Sequence, residues 1–204
     1  MVRIKICGIT NCEDALGVCE AGADAVGFIF FQGSRRYVDP DEARQIVKAL
    51  PPFVTTVGVF VDASHDTIAE IVELAGLDVV QLHGDESPDF CAAVKMPVIK
   101  AFRVSDGEMA GELARYTVSA CLLDTYRKGI PGGTGESFDW EIARKVTPCA
   151  RVILAGGLTP ENVADAVGQV KPYGVDVSGG VEQSEGKKDM DRVRRFIESA
   201  RGAA

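Results

Sequence analysis

Cys7 and Asp124 are the two side chains of this sequence best suited to exchange protons with a ligand. Each ends a short apolar run: Lys5-Ile6-Cys7-Gly8-Ile9-Thr10 and Leu122-Leu123-Asp124-Thr125. Two later runs end in paired glycines, Val152-Ile153-Leu154-Ala155-Gly156-Gly157 and Val175-Asp176-Val177-Ser178-Gly179-Gly180. In parallel α/β proteins the carboxyl ends of the strands form the ligand face. A thiol, a carboxylate and two glycine turns on that face read as an acid–base site beside an anion cradle.

Each residue also has a plainer reading. A lone cysteine is commonly a small core residue. Cys7, however, ends a strand and precedes a glycine that lets a ligand come close. A thiol of pKa about 8.5 is a few per cent ionised near neutrality, so modest tuning makes it a usable base. Asp124 could simply cap the next segment; facing an apolar pocket, its raised pKa would suit a general acid. Glycine is ordinary in turns. Gly156, Gly157, Ser178, Gly179 and Gly180 gain weight because they fall in the two loops where many barrels bind phosphate through backbone N–H groups. Arg36, beside Arg35, is either solvated surface or a bidentate clamp for a carboxylate. His83, at the end of Val80-Gln81-Leu82, is assigned a supporting role in substrate binding.

The elements that must position these residues alternate regularly. Strands are expected near 2–7, 24–30, 54–61, 78–82, 97–102, 119–124, 151–155 and 173–178. Helices are expected near 11–21, 40–50, 64–76, 87–95, 106–116, 138–147, 160–170 and 188–201. Asp39-Pro40, Ser87-Pro88 and Thr159-Pro160 each place a capping residue before a first-turn proline. Eight βα units of about 25 residues predict an α/β fold in which the whole chain, 1–204, forms one closed (βα)8 TIM barrel of eight parallel strands. The alternative, an open doubly wound sheet, usually carries a glycine fingerprint after its first strand, and Cys7-Gly8-Ile9-Thr10 is not one. Long connections follow strands two and six. The second, Thr125 to Ser137 with Gly132-Gly133-Thr134-Gly135, begins immediately after Asp124 and is expected to be a lid.

Side chains alternate along a strand, so an inward Cys7 puts Lys5 and Arg3 inside as well and turns Ile4 and Ile6 toward the helices. A buried ammonium needs a partner. Strand eight adjoins strand one in a closed barrel, which makes Asp176 the expected one.

Composition limits the function classes. The 204 residues are 46% hydrophobic and 25% charged, with a formal charge of −8. That balance disfavours nucleic acid, which needs a basic surface, but permits a small phosphorylated ligand held by local cations and helix N-termini. No apolar stretch approaches a membrane span, and Met1-Val2-Arg3-Ile4-Lys5-Ile6 is too short and charged for a signal peptide, so a cytoplasmic location is expected. Six cysteines without a C-x-x-C pair suggest free thiols, with Cys19, Cys91, Cys121 and Cys149 as core residues. Two histidines without ligand-spaced partners predict no metal, and no cofactor is expected.

In order along the chain stand Lys5-Ile6-Cys7-Gly8-Ile9-Thr10, Gly27-Phe28-Ile29-Phe30, Ser34-Arg35-Arg36-Tyr37-Val38, Val59-Phe60-Val61, Gln81-Leu82-His83-Gly84, Leu123-Asp124 and Gly132-Gly133-Thr134-Gly135. Phe138-Asp139-Trp140, Leu154-Ala155-Gly156-Gly157-Leu158 and Val175-Asp176-Val177-Ser178-Gly179-Gly180-Val181-Glu182 complete the series. Together they resemble the phosphoribosylanthranilate isomerases of tryptophan biosynthesis, over nearly the whole chain. Arg35 departs from a common proline and Gly179 from a common second serine. The resemblance implies an Amadori rearrangement in which Asp124 opens the ribose ring, Cys7 removes the C2 proton, Arg36 holds the anthranilate carboxylate and the glycine loops hold the phosphate. Another metal-free sugar-phosphate barrel enzyme, or a silent phosphate-binding barrel, is the competing reading.

Overall fold

The computed structural model describes residues 1–104, 109–124, 140–147 and 150–204. The expected lid over 125–137 and Cys149 lie outside the described residues.

Eight parallel strands close into a barrel, with β1 (Arg3–Cys7) paired to both β2 (Ala25–Ile29) and β8 (Gly174–Val177). Between them run β3 (Thr55–Phe60), β4 (Val79–Leu82), β5 (Val98–Arg103), β6 (Ala120–Asp124) and β7 (Val152–Ala155). The helices are α1 (Cys12–Glu20), α2 (Pro40–Ala49), α3 (His65–Ala75), α4 (Pro88–Ala93), α5 (Met109–Leu113), α6 (Trp140–Val146), α7 (Val163–Val170) and α8 (Met190–Gly202).

Strand parity divides the side chains between two cores. Ile4, Ile6, Phe28, Phe60, Leu82, Leu123 and Leu154 point outward and pack under the helices, all essentially inaccessible. Val57, Ile99, Ala101, Ala120, Leu122, Ile153 and Ala155 form a second cluster inside the barrel. The outer core is sealed by stripes such as Val193, Phe196, Ile197 and Ala200 on α8, spaced to share one helical face. Burying each large apolar side chain contributes about 1.5–3 kcal/mol.

Local signals set the ends of the helices. Asp39 caps α2 through Asp41 N–H, and Ser87 caps α4 through Phe90 N–H, each just before its proline. Thr159-Pro160 behaves differently. There the Asn162 side chain accepts from Thr159 N–H at 2.8 Å, stabilising a turn, and α7 starts at Val163.

A second departure lies near the C-terminus. Residues 179–181 form a 3₁₀ turn, followed by an antiparallel hairpin of β9 (Glu182–Ser184) and β10 (Lys187–Lys188). Lys188 therefore precedes α8, not begins it. Gly186, with φ of 79°, makes the tight turn between the strands. Among the described residues no helix is long and apolar enough to cross a membrane.

Candidate active site

The interior parity of the strands carries Cys7, Asp124, His83 and Ser178 to the same end of the barrel, beyond β1, β6, β4 and β8. Arg36 enters from the loop after β2.

Cys7 is buried, and directly beneath it Lys5 Nζ meets Asp176 Oδ1 at 2.9 Å. Lys5 and Asp176 are register partners across β1 and β8, so the expected pair exists. Arg3, one inward position lower, reaches the open N-terminal mouth and pairs with Asp24. Gly27 on β2 makes room for the thiol: a Cβ there would stand 2.7 Å from Cys7 Sγ and 3.1 Å from Lys5 Cε. Thiol and ammonium stem thus share one small space.

Burial pushes the Cys7 thiol above its ordinary pKa, Lys5 pulls it down, and Asp176 pushes it up again. The tuning expected from the sequence therefore runs the other way in the closed interior. Burial also opposes the charge on Lys5, but Asp176 and Cys7 outweigh it and leave the lysine pKa raised.

Asp124 ends β6 with 26% of its side chain exposed, so the enclosed apolar pocket expected for it is only partly realised. His83 Nε2 lies 3.3 Å from Asp124 Oδ2, and His83 Nδ1 lies 3.1 Å from Gln81 Nε2. The ring is thus held between the Gln81 amide on one nitrogen and the Asp124 carboxylate on the other. Behind this loop, the buried Lys100 binds Glu86 at 2.9 Å and the Gly84 carbonyl at 2.7 Å, anchoring the segment that carries His83.

Gly156 and Gly157 have consecutive left-handed backbones, with φ of 81° and 65°. Any side chain on Gly180 would collide with the Leu158 carbonyl, so the loops after β7 and β8 lie against each other. Ser178 Oγ is buried beside them without a hydrogen-bond partner among the described residues, and Gly179 borders Arg36.

Arg36 is not a solvated surface residue. Its Nε and Nη2 bind Glu182 at 2.8 and 2.6 Å. That edge of the guanidinium is occupied, and a second carboxylate would meet the Nη1–Nη2 edge. Burial works to raise the Glu182 pKa, but hydrogen bonds from Arg36 and Lys188 prevail and lower it. Glu182 and Lys188 are the participants that the sequence reading missed. Glu182 stands just after the second glycine pair, and Gly186 is the one turn residue that could have pointed to the hairpin presenting Lys188.

Cys7, Cys12, Cys19, Cys91 and Cys121 are free thiols, with Cys91 and Cys121 in the core and Cys12 exposed. Among the described residues no group of three His, Cys, Asp or Glu side chains could hold a metal ion.

Comparison with known proteins identifies the family. The family described as N-(5'phosphoribosyl)anthranilate (PRA) isomerase matches residues 4–199. An N-(5'-phosphoribosyl)anthranilate isomerase of Trichlorobacter lovleyi is 52% identical over 204 residues, covering 100% of both chains. One from a Geobacter species is 54% identical over 201 residues, covering 98% of each. The crystal structure of phosphoribosyl anthranilate isomerase from Thermotoga maritima superposes with a TM-score of 0.91 at 46% identity, covering 99% of this chain and 100% of that one. A phosphoribosyl anthranilate isomerase in complex with reduced 1-(o-carboxyphenylamino)-1-deoxyribulose 5-phosphate gives a TM-score of 0.87 at 44% identity, with 99% and 100% coverage. Agreement of this extent, in sequence and in fold over nearly the whole length, places the chain in the N-(5'-phosphoribosyl)anthranilate isomerase family.

Proposed function

We propose that this chain, working as one catalytic unit, converts N-(5'-phosphoribosyl)anthranilate to 1-(2-carboxyphenylamino)-1-deoxyribulose 5-phosphate by an Amadori rearrangement, a cytoplasmic step of tryptophan biosynthesis. The observation that carries the reading is the placement of Cys7 and Asp124 at one rim, with Ser178, the glycine loops and Arg36 around them.

Asp124 protonates the furanose ring oxygen. The C1–O bond breaks as the anthranilate nitrogen donates its lone pair, giving an open-chain iminium. Cys7, as thiolate, then removes the C2 proton, and the electron pair moves through C1 to the nitrogen to form an enolamine. Protonation at C1 with loss of the C2 hydroxyl proton yields the ketone, so the reaction is an isomerisation with no net proton change.

The Lys5 ammonium supports the thiolate electrostatically, offsetting part of the cost of a buried anion. The phosphate is held by the loops at Gly156, Gly157, Gly179 and Gly180, with the buried Ser178 hydroxyl as donor. Arg36 takes the anthranilate carboxylate on its outer edge, and His83 steadies Asp124.

Purified protein supplied with freshly prepared phosphoribosylanthranilate should consume it, followed by loss of its fluorescence. An inactive, folded protein would overturn the reading.

A further inference from the structure

The side chain of Lys188 is fully enclosed, with 0% exposure, and stands among three loops. Its ammonium donates to the Cys7 carbonyl at 2.6 Å, to Glu182 Oε1 at 2.8 Å and to the Ser178 carbonyl at 3.4 Å. Glu182 extends the connection by gripping Arg36 through two nitrogens. The hairpin is itself fixed, because the Lys188 backbone N–H donates to Asp14 Oδ2 at 2.8 Å. With their charged ends enclosed, Lys188 and Glu182 act on a ligand only through other groups. A buried ion pair is also an inefficient source of stability compared with apolar packing. What this one provides is placement.

We propose that Lys188 and Glu182 are the positioning residues of the isomerase site, Lys188 holding the Cys7 main chain in line and Glu182 turning Arg36 so that its outer edge faces the carboxylate. This rests on the roles given above to Cys7 and Arg36. It explains why a 3₁₀ turn and a polar hairpin follow β8: they bring one cation back across the end of β1. Cys7 then lies among Lys5, Asp176, Lys188 and Arg36, and the Lys188 charge opposes the burial that raises its pKa.

The test compares wild type, Cys7→Ser, Lys188→Met, Glu182→Gln, Arg36→Ala and the Arg36→Ala/Glu182→Gln pair on phosphoribosylanthranilate, with folding checked by circular dichroism. Wild-type turnover that Cys7→Ser abolishes checks the underlying reading on its own. Alkylation of Cys7 by iodoacetamide, mapped by mass spectrometry, checks the proposal without substrate. Lys188→Met should lower kcat about tenfold to a hundredfold, the scale of a small misplacement of a reacting group, with KM little changed. Its Cys7 alkylation midpoint should move to higher pH. Glu182→Gln should raise KM with kcat nearly kept, and should add nothing to Arg36→Ala. Folded Lys188→Met with wild-type kcat and alkylation profile would overturn the proposal, as would a Glu182→Gln effect on KM that multiplies that of Arg36→Ala. If Lys188→Met does not fold, Lys188→Gln keeps an amide donor for the Cys7 carbonyl without the charge. The same upward shift in Cys7 alkylation is expected there, and an unshifted profile would refute the idea.

Discussion

Cys7 and Asp124 sit at one rim of the barrel, yet their surroundings differ sharply. Cys7 is enclosed above the Lys5–Asp176 pair, whose side chains are 5% and 9% exposed at a 2.9 Å separation. Asp124 meets His83 at 3.3 Å, with both side chains more than a quarter exposed. The buried pair on that side, Glu86–Lys100, lies behind the His83 loop and not against the carboxylate. The contrast suits the two tasks proposed for these residues. Removing a proton from carbon needs a strong base held in a dry, fixed place. Delivering a proton to oxygen is easier, and a partly exposed carboxylate can recover its proton from water.

Deleting either reacting group tests the pairing most severely. Cys7→Ser and Asp124→Asn should each lower kcat by about 10² to 10⁴, the usual cost of losing a general base or acid. Both proteins should stay folded, since neither change removes a buried charge partner. Near-normal turnover in either variant would remove that residue from the mechanism.

The next test separates the sides by stability. Lys5→Met leaves Asp176 buried without its cation, and breaking such a pair costs about 3–5 kcal/mol. Adding Asp176→Leu should recover much of this loss in urea unfolding, because an apolar pair fills the space without a charge. If Lys5→Met alone unfolds at the wild-type urea concentration, the barrel interior is wetter than the structure implies.

The Lys5–Asp176 pair also shows what the sequence made legible. Period-2 alternation put Lys5 under Cys7, closure put β8 beside β1, and the register then left Asp176 as the partner. All eight strands emerged within about two residues of their ends, because each is a short apolar run bounded by turn residues. The hairpin did not emerge. Glu182-Gln183-Ser184-Glu185-Gly186-Lys187-Lys188 has no apolar alternation, and helical charge spacing drew Lys188 into α8. Arg36, on the loop after β2, and Glu182, at the start of β9, are 146 positions apart, and the periodicity of the barrel strands says nothing about where such side chains meet. The same blindness hid the long Asp124 contact, since parity gives the direction of a side chain but not its exposure.

Titration of Cys7 probes the dry side more gently. Its alkylation should rise with a midpoint above the ordinary thiol value of about 8.5, because burial outweighs the pull of Lys5. Lys5→Met should push the midpoint higher still. The sign carries over to stability. With the folded pKa above the unfolded one, the Cys7 contribution is fully present below the unfolded value and is lost as pH rises through the folded pKa. Wild-type stability should therefore decline on the alkaline side more than that of Cys7→Ser, and equal decline would mean that the thiol is not held protonated by burial.

The smallest effect belongs to the open side. His83 lies 3.3 Å from Asp124, and both are partly solvated, so their contact resembles a surface pair. Such pairs contribute about 0–1 kcal/mol. His83→Asn should thus leave unfolding within about 1 kcal/mol of wild type, in contrast to Lys5→Met. Its kinetic effect should also depend on Asp124, because the proposed role of the imidazole is to act through that carboxylate. In an Asp124→Asn background, adding His83→Asn should change kcat little, since the group it steadies is already gone. A stability loss matching that of Lys5→Met, or a rate loss that simply multiplies with Asp124→Asn, would mean that His83 has a separate role and that the two sides of the rim are more alike than their exposures suggest.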